Sequence, residues 1–343
     1  AEVAKSDGTP YRVFTPFYRR GCKALQTRQP LTKPANLRLD RDLHPDGHDE
    51  KPILPAFPWF EDEDQRWQPG EQGAHATLET FLSSGLGIYA EARDRPDLDG
   101  VSRLSPHLHF GEISPHQVRE AVIEHAGGED DDSADKFLSE LGWREFSAHL
   151  LYHWPEMTDE NLQKKFDRFP WEDDADLQRA WQEGATGYPI VDAGKRQLWR
   201  TGYMHNRVRM ITASFLVKNL LQDWRAGARW FWKSLLDADL ANNSASWQWV
   251  AGCGADAAPY FRIFNPVTQG RKFDAAGDYV RQYVPELARL PDRYVHCPWE
   301  APDHVLESAG VTLGKDYPQP IVDLAESRKR ALDAFNSLMQ RAG

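Results

Sequence analysis

An all-α fold is what this sequence predicts. Apolar residues recur at helical spacing from Gly73 onward, and period-two alternation of the strand type is nearly absent. Helix start and stop signals are also frequent and well placed. The chain has 343 residues, 41% apolar and 27% charged, which describes a globular protein with material for a sizeable core. No run of eighteen or more apolar residues occurs, so no membrane span is expected. The start, Ala1-Glu-Val-Ala-Lys5, lacks the layout of a secretory signal and has no initiator Met, which suggests a fragment or a processed chain. Three scattered cysteines, Cys22, Cys253 and Cys297, make neither a disulfide framework nor a zinc site. A reducing, cytoplasmic setting is expected.

Residues 1–72 are rich in Pro, Asp and Gly and read as an irregular connecting segment, with a short strand or helix over 9–22. Residues 73–343 read as one helical domain. Leu78, Phe81, Leu82, Ile88 and Tyr89 mark its first helix. Ser114-Pro-His-Gln117 is a capping box with Pro at the first helical position, and Gly127 closes that helix. A long helix over 134–154 places Phe137, Leu138, Leu141, Leu150 and Leu151 on one side and stops at Pro155. Further helices are expected over 176–183, 190–200, 204–222, 226–236 and 324–339. No internal repeat stands out.

The net charge is −11, which argues against nucleic acid until its distribution is considered. Nine Lys or Arg residues and one acid, Asp223, lie between Lys195 and Lys233, while acids gather over 42–64 and 129–135. A basic segment on an acidic protein can make a cationic surface for phosphates, although it can equally be a solvated helix.

No metal site is expected. His149 and His153 share a helix face, but no Glu follows His149, and His107 and His109 lack ligand partners at the right spacing. No phosphate-loop, nucleophile-elbow or kinase signature occurs. The chemistry gathers instead around its thirteen tryptophans. Asp237-Ala-Asp-Leu-Ala-Asn-Asn-Ser-Ala-Ser-Trp-Gln-Trp249 puts two carboxylates and two asparagines ahead of a pair of indoles that a helix sends to nearly opposite sides. Such indoles suit stacking on bases, or passing single electrons. Glu140 and Trp143, three apart, can form one wall, an acceptor beside a stacking plane. Asn206 and Met210 share a face with Arg209 close by, while Arg207 points a quarter-turn away. Taken singly, each of these indoles would be ordinary core.

Together these segments resemble the catalytic domain of the photolyase/cryptochrome family, and within it the class I cyclobutane pyrimidine dimer photolyases. The resemblance runs from about Gly73 to Asp323. It is carried by Ser102-Arg-Leu-Ser105, Glu140-Leu-Gly-Trp-Arg-Glu-Phe146, Gly187-Tyr-Pro-Ile-Val-Asp-Ala193, Thr201-Gly-Tyr-Met-His-Asn-Arg-Val-Arg-Met210, the Trp-Gln-Trp region and Asp256-Ala-Ala-Pro-Tyr-Phe-Arg-Ile-Phe-Asn-Pro266.

The resemblance implies FAD as cofactor, damaged DNA as partner, no membrane, and a monomer. It implies light-driven repair, in which excited reduced FAD passes an electron to a pyrimidine dimer flipped out of the helix; a cryptochrome-type light receptor is the alternative. Tyr89, Val101 to Ser105 (with Ser102, Arg103 and Leu104), Phe137, Arg144, Arg209, Asp237, Asp239 and Asn243 should surround the flavin, with Asn243 at its N5 edge. Val101 stands where a Thr is common. Glu140, Trp143, Asn206, Arg207, Met210 and Trp249 should line the lesion cavity, with Glu140, Asn206, Met210 and Asn243 closest to the chemistry. Arg93, Arg262 and Lys272 should meet strand phosphates. Trp247, Trp224 and Trp171 should relay electrons between flavin and surface, and Tyr203 stands where many relatives have Trp. Relatives carry a preceding antenna domain; this chain starts near the linker that follows it, and its pigment is unknown.

Overall fold

The computed structural model describes residues 3–23, 29–31, 36, 67–128, 131–260 and 262–342. The described residues are mostly helical, and their β pairing consists of isolated bridges, Glu172 with Gln222 and Leu313 with Tyr317. None of their helices is long and apolar enough to cross a membrane. The acidic run over 42–64 lies outside them, as do Glu129 and Asp130.

The N-terminal segment is less irregular than its composition suggests. A short α1 (Phe14–Pro16) runs on as a π-helical turn, Phe17–Cys22. It is held because Phe14 and Phe17 are buried against Phe146 and Leu150. Next come α2 (Glu71–Thr80), continuing through π- and 3-10-helical turns into α3 (Tyr89–Ala92), and the short α4 (Ser105–His109). In α5 (Pro115–Ala126) the expected capping box forms: Gln117 N donates to Ser114 Oγ at 3.2 Å, and Ser114 N donates to Gln117 Oε1 at 2.9 Å. Gly127 ends that helix at φ 71°, the left-handed conformation a glycine adopts without strain.

The long α6 (Asp132–His153) is capped by Asp131, which accepts from Ala134 N at 2.8 Å. The acids of its first turn, Asp132 and Asp135, meet the positive end of the helix dipole, so this acidic cluster has a local structural use. Then follow α7 (Ala175–Glu183), α8 (Pro189–Thr201), α9 (Asn206–Ser214), α10 (Trp224–Ser234) and α11 (Leu240–Ala251). Behind them are α12 (Pro266–Phe273), α13 (Asp278–Tyr283), α14 (Asp292–Val295), α15 (Asp303–Ala309) and α16 (Leu324–Ala342).

The helix expected over 204–222 is different in kind. It is α-helical to Ser214 and π-helical over Phe215–Asn219. That expected over 226–236 starts earlier, at Trp224, because Asp223 caps it by accepting from Arg225 N at 2.8 Å.

The main core gathers α7 to α16 around Trp181, Tyr188, Phe215 and Trp224, all nearly inaccessible. An aliphatic or Phe side chain fully buried in such a core contributes about 1.5–3 kcal/mol. A second core joins α2 to the first half of α6, and a third joins α1 to its second half. Helix α6 thus packs against two of the elements that carry the site, α3 and α11. Asp192 ties loop to core, accepting from Thr186 N and Oγ1 at 2.8 and 2.6 Å, Gly187 N at 3.0 Å and Tyr317 Oη at 2.5 Å.

Candidate functional site

The centre of the site is a buried carboxylate. Asp237, in the turn between α10 and α11, accepts from Arg209 Nη2 at 2.7 Å and from Ser105 Oγ at 2.6 Å, both on Oδ2. Its Oδ1 is buried and has no partner among the described residues. Burial opposes the charge on Arg209, but the Asp237 carboxylate beside it prevails and holds the guanidinium more firmly protonated than usual. Arg209 Nε donates to Met204 O at 2.7 Å, which fixes the fork. Nearby, Arg103 adopts a left-handed φ of 53°; its Nη2 pairs with Asp99 at 3.0 Å, while its buried Nε has no partner among the described residues. A strained backbone costs about 1–3 kcal/mol, and so does a buried polar atom until a ligand answers it.

The remaining residues expected around a flavin lie on several elements. Tyr89 and Phe137 are buried edge to face at 5.3 Å between α3 and α6. Ser102 Oγ accepts from Leu104 N at 3.4 Å, with Leu104 buried and Val101 half-buried. Asn243 donates its Nδ2 to Ala228 O at 3.0 Å, which leaves the amide oxygen as the end offered to a ligand. Asp239 caps α11, its Oδ1 accepting from Asn242 N at 2.8 Å. Arg144 donates to its neighbour Glu145 at 3.2 Å rather than to this cluster. The donor set fits a flavin dinucleotide: serine hydroxyls and guanidinium groups for its phosphates, and an orphaned carboxylate oxygen and an amide for its polar ring edge.

Helix α11 sends Trp247 inward and leaves Trp249 half-exposed, as the spacing implies. The Trp247 indole rests on the bare backbone of Gly227, where an added Cβ would stand 2.1 Å from the ring. Gly227 lies three residues, nearly one turn, along α10 from Trp224, so the two indoles are joined through that helix. Trp224 donates its Nε1 to Asn161 Oδ1 at 2.9 Å. Trp171 is half-buried, with its ring 4.3 Å from Phe169 and its Nε1 unpartnered. The ring neighbours of Trp247 are Phe231 at 5.0 Å and Trp181 at 6.1 Å. Trp181 was not marked by any motif; it is a core indole whose face carries the buried Lys195 Nζ at 3.5 Å.

The rim holds two ion pairs. Arg93 Nη2 lies 2.6 Å from Glu140 Oε1, and Arg207 Nη2 lies 2.8 Å from Asp94 Oδ1. Asn206 is exposed and Met210 half-buried on the same helix face. Arg207 and Lys272 both lie over one residue, Phe273, at 4.5 and 4.9 Å from its ring. Arg262 and Lys272 are exposed. Trp143 departs from expectation: Phe14 stacks on it at 3.7 Å and 9°, so one indole face is taken by the N-terminal segment. The basic segment also departs. Lys195 and Lys218 are buried, while Arg196, Arg207, Arg209 and Arg225 are paired with Glu286, Asp94, Asp237 and Asp223. Most of its charge is therefore used inside the protein. Asp94 had no sequence signal, and His205, inside the Thr201–Met210 motif, was given no role. Two surface hollows, of about 200 and 460 Å³ beside Arg12, share no residue with this site.

A helical domain built around an orphaned carboxylate, a cationic cradle and a buried indole is a cofactor-holding domain. Residues 137–337 match the family described as the FAD binding domain of DNA photolyase, and the chain belongs to that family. It is 50% identical over 341 residues to a deoxyribodipyrimidine photo-lyase of Agrobacterium fabrum, covering 98% of this chain and 70% of that one. A bacterial class III photolyase from Agrobacterium tumefaciens has a solved structure that superposes with a TM-score of 0.90 at 48% identity, over 99% of this chain and 71% of that chain. Cryptochrome-1 of Arabidopsis thaliana is more distant, 37% identical over 99% of this chain and 51% of its own length. The class I subdivision expected from the motifs is not supported, because the solved relative is of class III.

Proposed function

We propose that this protein is a light-driven photolyase that splits cyclobutane pyrimidine dimers in DNA, of the class III rather than the class I subdivision. The observation that carries the reading is the unpartnered Asp237 oxygen beside Arg209 and Ser105, at the foot of the helix that presents Asn243, Trp247 and Trp249. FAD bound there supplies a light-excited one-electron donor. The protein does the rest. Arg209 and Ser105 hold and aim Asp237, and Arg103 offers its buried Nε to a phosphate. Asn243, anchored on Ala228, turns a neutral amide oxygen to the ring edge.

The dimer reaches this floor only after leaving the base stack, which costs less for a lesion that pairs and stacks poorly. Trp249 gives the extruded bases a stacking plane; Asn206 and Glu140 bond their edges, and Met210 fills the gap between them. Arg93, Arg207, Arg262 and Lys272 draw in the strand. Trp247 passes charge along α10 towards Trp224 and Trp171. The free protein acts as a monomer, which its elution volume on a sizing column would check. A light receptor without repair is the weaker reading, since photo-lyase relatives match more closely than cryptochromes do.

The test is an oligonucleotide containing one thymine dimer, incubated with flavin-loaded protein in blue light and in darkness. Dimer loss confined to the illuminated sample is expected. A protein that binds FAD yet leaves the dimer intact in light belongs with the receptors instead.

A further inference from the structure

The N-terminal turn lies outside residues 137–337, which match the FAD-binding family, yet it reaches into the site. Phe14 stacks on Trp143 at 3.7 Å and 9°, and Tyr18 lies nearly parallel to Phe14 at 5.4 Å and 13°. Phe14 N donates to Asp256 Oδ2 at 3.0 Å, across 242 residues of chain. Asp256 belongs to the loop after α11, whose Ala258 N donates to Trp249 O at 3.2 Å. We propose that Phe14 is a positioning residue for damage recognition: its ring backs the Trp143 indole, and its backbone, latched to Asp256, ties that indole to the loop bonded to Trp249. This rests on the repair reading above and adds the N-terminal turn to its working parts.

A ring in that place could instead block the indole and leave when a base arrives. Phe14 is not built to leave. It is buried with Phe17, Phe146, Leu150 and Met157 in the third core, so withdrawing it would open a cavity there. Two features of the chain are shaped to this contact. Gly142, one residue before Trp143, lets Tyr18 lie against α6; an added Cβ there would stand 2.4 Å from the Tyr18 ring. Asp256 holds a left-handed φ of 48°, which Asp tolerates better than most residues, and in that turn its carboxyl meets Phe14 N. That N–H belongs to the first turn of α1, where the helix itself supplies no acceptor.

An extruded base gains most from an aromatic plane that is already fixed. Stacking on such planes supplies much of the affinity for unpaired bases, and a ring ordered beforehand loses no rotamer freedom on binding. Trp143 is only half-buried, so its own helix does not fix it. Phe14 covers one face and Phe146 meets the ring edge-on at 5.8 Å and 74°, which leaves the other face for a ligand. The Asp256 latch then sets the placing of Trp143 relative to Trp249 before DNA arrives. The loop is anchored at its far end too, where the buried Lys218 donates its Nζ to Arg262 O at 2.9 Å. Bases of undamaged DNA stay in the stack and do not meet these planes, while phosphate contacts carry no information about the bases. Phe14 therefore acts on discrimination rather than on general affinity.

The experiment compares binding of flavin-loaded protein, in darkness, to two oligonucleotides identical except for one thymine dimer. Phe14→Leu keeps an apolar side chain in the core and removes the flat ring. It should weaken binding to the dimer by about tenfold, leave undamaged DNA bound as before, and leave the salt slope unchanged, since no phosphate contact is lost. Asp256→Gly keeps the left-handed turn without the acceptor and should lose about fivefold in discrimination. Asp256→Asn keeps both and should restore it. The double variant Phe14→Leu, Asp256→Gly should lose less than the product of the two single losses, because the latch acts through the ring. Flavin content should match the wild type throughout. Equal or tighter dimer binding by Phe14→Leu, equal losses on both oligonucleotides, or losses that multiply would overturn the positioning role while leaving repair standing. Should Phe14→Leu not fold, the exposed Asp256 decides: equal discrimination by its Gly and Asn variants overturns the latch. A wild type that binds both oligonucleotides alike overturns the repair reading itself.

Discussion

Trp247 is the residue at which structure and proposed chemistry meet most directly. Changing it to Phe should keep the packing against Gly227 nearly intact while removing an oxidisable indole. Light-driven bleaching of the oxidised flavin band should then fall at least tenfold, with repair by chemically reduced protein retained; equal loss of both would refute a relay role. His205 supplies a second prediction. Burial pushes its ring down from 6.5 to about 4, and its Nδ1 accepts from Arg207 N at 3.2 Å to cap α9. The folded protein therefore holds His205 neutral while the unfolded chain protonates it. Stability is fully present above 6.5 and is lost as pH falls towards 4, by up to about 3 kcal/mol for this one group. His205→Asn retains a capping acceptor without the titration. Its urea midpoint should change less than the wild type's between pH 6.5 and 4; parallel curves would exclude His205 as the source.

At the scale of single elements the caps decide most. Asp239, expected beside the flavin, also starts α11. Asp239→Ala should cost about 1 kcal/mol of stability. Because α11 also carries Asn243, Trp247 and Trp249, it should release flavin more readily; a thermal melt and a flavin-release assay check the two effects. Boundaries set by local chemistry were legible in the chain: the Ser114–Gln117 box, the stop at Pro155 and the glycine after α5. The π-helical tract Phe215–Asn219 was not. Its extra residue per turn accommodates tertiary packing, and apolar periodicity alone cannot distinguish it from ordinary α-helix. The helical turn at Phe14 was only half legible, since it depends on Phe146 and Leu150, far along the sequence.

Across the whole molecule, charge counted along the chain is a poor guide to charge on the surface. The segment from Lys195 to Lys233 reads as strongly basic, yet two of its lysines are buried and most of its arginines are paired. The motif residues were legible because their order along the chain is distinctive; the partners that the fold supplies to them, Asp94 for Arg207 and Glu140 for Arg93, were not, because pairing across helices leaves no spacing. Arg262 and Lys272 remain exposed, so they should carry much of the strand attraction. Replacing either with Ala should weaken binding of damaged and undamaged DNA alike and lower the salt slope by about one. A slope unchanged in both variants would remove them from the interface.

The close seating of the Trp247 indole on the α10 backbone bears on speed as well as packing. Gly227 leaves that ring no room to tilt, and with 2% of it accessible no solvent dipoles can swing round it when its charge changes. Whatever dipoles answer a transient hole there are already fixed by the fold. A hop through this indole thus meets little reorganisation, and a bulkier residue at 227 should slow it by loosening the clamp even where the indole itself survives.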